Sequence, residues 1–168
     1  TTSPDILRAV GPAQQALRRN THLLNDVVIT PVSGPGTKSL LYEVAAQSMV
    51  ATASGSAALI GPRSAAGTEP GHVSGLEARW MAEVAHATEG MSRADANAIV
   101  QELVARYQPD LDKRPVGQRF DEVYDVVRVR PTEEWLGVYE GVKQELLDLG
   151  LPLDSALSYA KVGRAMPA

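Results

Sequence analysis

The first candidate for chemistry is the turn Ser33-Gly34-Pro35-Gly36-Thr37, which leads into a predicted helix. The backbone N–H groups of Ser33, Gly34, Gly36 and Thr37 would suit an anion or a carboxylate, because free N–H groups and the helix dipole both favour negative charge. The same residue types are also ordinary turn formers, with Thr37 as the helix cap. Both interpretations of this turn stay open at the level of sequence.

A second set of candidate side chains follows the next predicted strand. Arg63 could clamp a carboxylate or a phosphate through two hydrogen bonds, or it could pair with Glu69 or with a partner chain. Ser64 comes directly after Arg63 and is grouped with it as a substrate-binding candidate. His72, in the same Gly/Ser/Pro-rich loop, could act as a general base or a metal ligand. Because no second ligand stands at a recognisable spacing from His72, we predict no metal site.

Alternating helical and extended patterns must position these loops. Ser3-Pro4-Asp5 predicts a helix that fades near Leu24, since a hydroxyl cap, a Pro and a first-turn acid favour a helix start. Buried strands are predicted at residues 27–30 and 57–60, from short apolar runs closed by Pro or Gly. Between the two strands, apolar residues at helical spacing predict a helix that is ended by Gly55.

Three further helices are predicted downstream. Ser74 and Glu77 have the spacing of a capping box, Ser92 opens a helix that reaches Tyr107, and residues 131–134 open a helix that ends at Gly150. Residues 109–119 are expected to be irregular, residues 120–130 to form a helical turn and an extended stretch, and residues 154–164 to form a last short helix. We expect Glu77, Arg79 and Glu83 to pair with one another at the surface. The larger apolar and aromatic side chains are expected to pack in the core or at an interface, namely Trp80, Met81, Trp135 and Tyr139.

The strand–helix–strand order from Val27 to Ile60 predicts two parallel strands. Parallel strands need cover on both faces and neighbours at both edges, which two short strands cannot supply. We therefore expect another chain to provide the missing strands. The alternative is an all-α domain in which the two short runs are loops, because periodicity alone does not separate these cases.

Composition excludes several classes of function. The chain has 168 residues and a net charge of -4, which argues against a basic nucleic-acid-binding surface. It has no cysteine, so it offers no disulfide or thiolate nucleophile, and this fits a cytoplasmic protein. The apolar runs are too short and too interrupted to cross a membrane, and we see no signal-peptide pattern.

Five blocks of sequence resemble the C-terminal part of monomethylamine methyltransferases. They are EVAAQSMVATASG (43–55), SGLEARWMAEVAHATEG (74–90), FDEVYD (120–125), PTEEW (131–135) and ELLDLGL (145–151). The order and spacing of the blocks are also similar to those of the family. The likeness divides the chain into a barrel segment, residues 1–151, and a C-terminal extension, residues 152–168.

The resemblance implies an α/β fold, namely the helix-rich C-terminal part of a (β/α)₈ TIM-type barrel. The family transfers a methyl group from methylamine to a cobalt corrinoid held by a partner protein, and its electrophile is pyrrolysine, which lies well upstream of this segment. The chain itself would then bind no cofactor. A larger partner chain would complete the barrel in a hetero-oligomer, and a corrinoid protein would be a further partner.

One stretch departs from the family's pattern. Val28-Ile29-Thr30-Pro31 stands where the family has Gln-Tyr-Tyr-Pro, and that Gln and one Tyr are implied to help hold the amine. Val28 and Ile29 have no side-chain donors or acceptors, and Thr30 is much shorter than Tyr. Thr30 is the one position of this stretch that we keep as a substrate-binding candidate.

The barrel fold would place the candidates at its catalytic rim, because active sites of such barrels lie at the carboxyl ends of the strands. The loops at residues 31–37 and 61–73 would both lie at this rim, and alignment with the family places Thr1 there as well. A threonine freed at an N-terminus carries a nucleophile together with its own base, the α-amino group. We expect either maturation by cleavage before Thr1 or removal of an initiator Met.

Three hypotheses for function follow. The first is a methyltransferase-like subunit acting on a small amine. The second is a self-cleaved amidohydrolase or acyltransferase that uses Thr1 as its nucleophile. The third is a non-catalytic subunit that completes a barrel whose catalytic residues lie in the partner.

Overall fold

The computed structural model describes residues 2–153. In that part of the chain a βαβ unit is followed by a helical layer and one small hairpin. The helices are α1 (Pro4–Asn20), α2 (Lys38–Ala53), α3 (Gly75–Thr88), α4 (Arg93–Leu111), α5 (Phe120–Val123) and α6 (Glu133–Asp148), and the strands are β1 (Asp26–Val28), β2 (Ala58–Ile60), β3 (Tyr124–Asp125) and β4 (Arg130–Pro131). A 3-10 turn occupies Ala65–Gly67.

β1 and β2 pair in parallel, as predicted, with Val27 opposite Leu59. The pairing continues past the strands, because the N–H of Ile29 donates to the carbonyl of Ile60 at 2.9 Å and the N–H of Arg63 donates to the carbonyl of Ile29 at 2.8 Å. The all-α alternative is therefore wrong.

Only one face of these strands is covered within the described residues. Val27 and Ile29 are buried, whereas Val28 is 40% exposed and Ile60 is 48% exposed. Successive residues of a strand point to opposite faces, so α2 covers one face and leaves apolar side chains on the other. The prediction of strands buried on both faces is not met inside this segment.

α2 is the central element and is buried on nearly every side. Its N-cap is Thr37, whose hydroxyl accepts from the N–H of Leu40 at 3.3 Å. It contacts α1, α3, α4 and α6, which is the position expected of a helix that is apolar all round. It also carries two strongly polar side chains into this environment, Glu43 and Gln47.

Aromatic side chains join α3 and α6 to α2. The indole N–H of Trp80 donates to the carbonyl of Leu41 at 2.8 Å, and the Trp80 and Tyr139 rings meet edge to face with centroids 5.6 Å apart. Trp135 is buried as well, and Met81 packs against the core. These contacts confirm the predicted core role of the aromatic residues.

Two helix ends differ from prediction. α1 ends at Asn20 instead of near Leu24, because Thr21 is extended and Leu24 is 92% exposed, so nothing packs against a further turn. The Ser3 hydroxyl makes no capping hydrogen bond. α4 continues to Leu111 and so includes Pro109.

The continuation of α4 has a tertiary cause. The Ser39 hydroxyl of α2 donates to the carboxylate of Asp110 at 2.5 Å. This contact holds the last turn in place although Pro109 removes one backbone donor. Downstream, α5 gives the expected helical turn, and the extended stretch folds into the β3–β4 hairpin, with Tyr124 opposite Pro131.

The remaining helix signals behave as predicted. Gly55 and Gly150 follow α2 and α6 with positive φ angles of 88° and 92°, and the hydroxyls of Ser92 and Thr132 cap α4 and α6. The helix expected at residues 154–164 lies outside the described residues. Nowhere between residues 2 and 153 does a helix have the length and apolar character to span a membrane.

Glu83 is buried, which corrects the prediction of surface pairing along α3. Its carboxylate accepts from Arg79 Nε at 2.6 Å, from the Tyr139 hydroxyl at 2.5 Å and from Lys143 Nζ at 3.1 Å. The pairing of Arg79 with Glu83 is as expected from their i,i+4 spacing. Their burial arises because α6 packs over this face of α3, which helical spacing within α3 does not reveal.

The buried pair formed by Glu83 and Lys143 yields a first prediction. Glu83→Leu leaves the Lys143 ammonium buried without its partner and should lower the free energy of unfolding by about 3–5 kcal/mol. The double variant Glu83→Leu/Lys143→Met removes both charges and should lose less stability than Glu83→Leu alone. The free energies of unfolding of these two variants and of Lys143→Met, measured with denaturant, complete a double-mutant cycle. A double variant at least as unstable as Glu83→Leu would contradict the prediction.

Candidate functional site

The two predicted loops meet at the carboxyl ends of β1 and β2. We call residues 31–37 rim loop 1 and residues 61–73 rim loop 2. The N–H groups of Ala65 and Ala66 donate to the carbonyls of Ser33 and Pro31, each at 2.8 Å. The loops therefore form one connected surface at the carboxyl end of the parallel strands, which is where (β/α) barrels have their active sites.

A buried carboxylate already binds the N–H groups of rim loop 1. Glu43 Oε2 accepts from the N–H of Val32 at 2.6 Å, and Glu43 Oε1 accepts from the N–H of Ser33 at 3.0 Å. The Thr2 hydroxyl donates to the same carboxylate. The arrangement resembles anion binding at a loop, but the anion is supplied by α2.

Glu43 was not among the residues singled out from the sequence. The signal available was one acid, between Leu41 and Val44, in a helix that has no other acid and is largely apolar. A carboxylate that is fully buried must have hydrogen-bond donors near it. Sequence spacing alone does not say which donors these are.

Gln47, one turn after Glu43, binds the end of β1. Its Oε1 accepts from the N–H of Thr30 at 3.0 Å, and its Nε2 donates to the carbonyl of Val28 at 3.3 Å. Thr30 is half-buried and follows the buried Ile29. By strand alternation, the Thr30 and Val28 side chains share the face that points away from α2.

The connection at residues 112–119 packs tightly over rim loop 1. The N–H of Gly34 donates to the carbonyl of Pro115 at 2.8 Å, and a Cβ added at Gly34 would stand only 1.7 Å from the carbonyl oxygen of Val116. Gly36 has a φ of 85° and lies against Gln118. Thr37 caps α2 and donates to the carbonyl of Gly34 at 2.8 Å, so its hydroxyl has the role of an ordinary helix cap.

In rim loop 2 the candidate side chains point in different directions. Ser64 is buried, and its hydroxyl donates to Glu77 Oε1 at 3.1 Å. Arg63 is exposed and makes no ion pair with any residue between 2 and 153, including Glu69; its guanidinium lies beside Gly67. His72 is partly buried, with Nδ1 3.2 Å from the carbonyl oxygen of Pro70.

Glu77 is also buried, contrary to the predicted surface position, because α6 and rim loop 2 cover it. Its Oε1 accepts from the N–H of Ser74 at 2.6 Å, the Ser74 hydroxyl donates to Oε2, and Trp135 Nε1 donates to the Ser74 hydroxyl at 3.3 Å. Burial raises the pKa of the Glu77 carboxyl, and the hydrogen bonds from Ser74 and Ser64 only partly oppose that rise in pKa.

Thr1 lies outside the described residues, so its proposed role as a nucleophile stays a prediction. Its neighbour Thr2 is fully buried. The Tyr107 hydroxyl donates to the Thr2 carbonyl at 2.5 Å, and burial raises the pKa of that Tyr107 hydroxyl. Thr2 therefore connects the start of α1 to rim loop 1 through Glu43.

The geometry defines a segment of a (β/α) barrel, with two parallel strands, their covering helices and two joined loops at the strand ends. A family model described as "Monomethylamine methyltransferase MtmB" matches residues 1–151. The chain belongs to this monomethylamine methyltransferase family.

Individual relatives agree with this assignment. The chain is 40% identical to monomethylamine methyltransferase MtmB2 of Methanosarcina barkeri (strain Fusaro), over 90% of this chain and 33% of the relative. It is 39% identical, with the same coverage, to MtmB of Methanosarcina mazei. The crystal structure of the Methanosarcina barkeri enzyme superposes with a TM-score of 0.87 at 40% identity, over 90% of this chain and 33% of that one. The chain thus spans about a third of the length of its relatives.

The raised pKa of Glu77 predicts a pH dependence of folding stability. A carboxyl whose folded pKa lies above its ordinary value of 4.5 adds stability below that value, and this stability is lost as the pH rises through the raised pKa. Glu77→Gln stays neutral and should lack this component. Denaturant unfolding at a series of pH values should therefore show the wild type losing stability relative to Glu77→Gln as the pH rises. Parallel curves for the two proteins would contradict the prediction.

Proposed function

We propose that this chain is the C-terminal part of a barrel enzyme that transfers a methyl group from a small amine to a corrinoid held by a partner protein. The family match over residues 1–151 carries the proposal. The junction of rim loops 1 and 2 at the strand ends supports it, because catalytic groups of barrels gather there. The pyrrolysine of the family would come from the part of the barrel that is not in this segment.

The exposed face of the strands supports dependence on that missing part. Val28 and Ile60 are apolar and about half exposed, and burying them would remove apolar surface from water. We infer that further strands, from a larger chain or from the rest of a longer one, cover this face and complete the barrel.

The substrate-binding candidates of the rim differ in exposure and orientation. Arg63 and His72 are accessible and could contact a substrate or a docked corrinoid protein. Thr30 follows β1 on the side that points away from α2, where the resemblance implies amine contacts. Ser33 and Ser64 are buried, so we propose that they shape the loops without touching substrate.

The difference from the family's Gln-Tyr-Tyr-Pro stretch at residues 28–31 leads to a prediction about methyl transfer. Val28→Gln combined with Thr30→Tyr restores the polar groups that the resemblance implies for the amine, and should raise kcat/KM for methylamine by about tenfold or more, equivalent to about 1.4 kcal/mol. The measurement is methyl transfer to a corrinoid protein by the completed barrel. The matched control, Ile29→Val on the buried face, should leave kcat/KM nearly unchanged. Absence of transfer by wild type and double variant, with every corrinoid protein tested, would count against the function itself.

The non-catalytic hypothesis has one observation in its favour. Val28 and Thr30 offer little of the polar chemistry that the family's residues supply at these positions. This hypothesis predicts that Arg63→Ala, His72→Ala and Thr30→Ala each leave turnover of the completed barrel unchanged, and a loss of turnover in any of the three would contradict it.

The hydrolase hypothesis depends on Thr1. If the mature protein carries a free α-amino group on Thr1, Thr1→Ala removes the hydroxyl nucleophile and should abolish amide hydrolysis or acyl transfer. Turnover is the measurement, and intact mass determines whether the chain begins at this residue in the wild type and in the variant. Thr1→Ser, which retains a hydroxyl, is the control. Unchanged hydrolysis by Thr1→Ala would eliminate this role.

A further inference from the structure

Every backbone donor between Thr30 and Ser33 is bound by a side chain of α2. The N–H of Thr30 donates to Gln47, and the N–H groups of Val32 and Ser33 donate to Glu43. Pro31 has no N–H. Two α2 side chains one turn apart therefore bind every backbone N–H group of the stretch where β1 leads into rim loop 1.

The surroundings of Glu43 are those of a bound anion. The residue is fully buried and forms no ion pair with any residue between 2 and 153. Its carboxylate receives two backbone N–H groups and the Thr2 hydroxyl. Backbone N–H groups and hydroxyls are the donors that loops use to bind phosphate or carboxylate ligands, and hydrogen bonds to an ionised acceptor are roughly twice as strong as neutral ones.

Glu43 also joins segments that are distant in sequence. It contacts Thr2 at the start of α1, and it holds Val32 and Ser33 of rim loop 1. The carbonyls of Pro31 and Ser33 in turn accept from Ala66 and Ala65 of rim loop 2. One carboxylate thus links the residues before α1 to rim loop 1, which is itself hydrogen-bonded to rim loop 2.

We propose that Glu43 is a positioning residue that acts as a built-in anion at the rim. Its carboxylate occupies the anion-binding amides of Val32 and Ser33, so these amides do not bind an anionic substrate or cofactor group. Removing the carboxylate should both loosen the rim and expose a new site for a small external anion. The kinetic consequence of this role, though not the anion site, rests on the proposed function.

The test compares Glu43→Ala, Glu43→Gln and Glu43→Asp in the full chain, purified with whatever part of the barrel accompanies it. Glu43→Ala should have a lower melting temperature, and formate should raise that temperature by about 3–6 °C at roughly ten times its dissociation constant. Formate carries the same two oxygens as the missing carboxylate. Chloride at equal ionic strength is the reference, and the exposed variant Glu102→Ala should show no formate-specific shift.

Glu43→Gln separates charge from volume. Its amide fills the space, but its NH₂ group must face one of the two backbone donors, so it should be destabilised and should not respond to formate. Glu43→Asp keeps the charge on a shorter side chain and should melt above Glu43→Gln. These two variants decide the matter even if Glu43→Ala does not fold. The proposal is overturned if Glu43→Gln melts like the wild type, or if a folded Glu43→Ala responds to formate no more than to chloride.

Methyl transfer by the completed barrel provides an independent readout. Misplacement of rim groups should lower kcat of Glu43→Gln by about ten- to a hundredfold, and formate should restore part of the kcat lost in Glu43→Ala. Glu102→Gln should leave kcat unchanged. An inactive wild type would argue against the proposed function alone, because the thermal comparison still decides the role of Glu43. An active wild type with unchanged kcat in Glu43→Gln would overturn the positioning role.

Discussion

The structure depends on satisfying the backbone polar groups at the end of a two-stranded parallel sheet. β1 has one paired edge, and on its other side the carbonyl of Val28 and the N–H of Thr30 point away from β2. Gln47 binds both groups with a single side-chain amide, in the manner of a residue on a neighbouring parallel strand. Since buried backbone groups without partners are costly, this contact and the adjacent Glu43 carboxylate determine where rim loop 1 can lie.

These two side chains are carried by a helix that is buried on nearly every side. α2 is buried in this way because α1, α3, α4 and α6 surround it. Three acids are buried between residues 2 and 153, Glu43 on α2 and Glu77 and Glu83 on α3, and because a buried carboxylate is costly without partners, each is supplied with several donors. Glu43 and Glu77 are bound by backbone N–H groups and hydroxyls of the loops, whereas Glu83 is bound by side chains of α3 and α6. The loops and the helical layer are thus joined by charge-assisted hydrogen bonds in addition to apolar packing.

Membership of the methyltransferase family and the geometry of the rim are consistent with each other. The segment spans a third of the length of its relatives and contains two complete strand-to-helix connections. Each connection is held by hydrogen bonds to the helix that follows it, rim loop 1 to α2 and rim loop 2 to α3. The apolar face carried by Val28 and Ile60 is the surface that the segment cannot cover alone. A barrel distributes its active site over several strands, so groups beyond this segment would be needed to complete the site that we propose Thr30, Arg63 and His72 to line.

Local signals in the sequence determined the start and end of most elements. Thr37, Ser92 and Thr132 cap helices, and glycine permits the positive φ that follows α2 and α6, because these effects act within a few residues. The parallel pairing followed from the order of elements. Only tertiary structure decided that Glu43, Glu77 and Glu83 are buried, that α4 passes Pro109, and that the amides of rim loop 1 bind an internal carboxylate. Those outcomes depend on which distant surfaces meet, and helical spacing carries no information about what packs over a face.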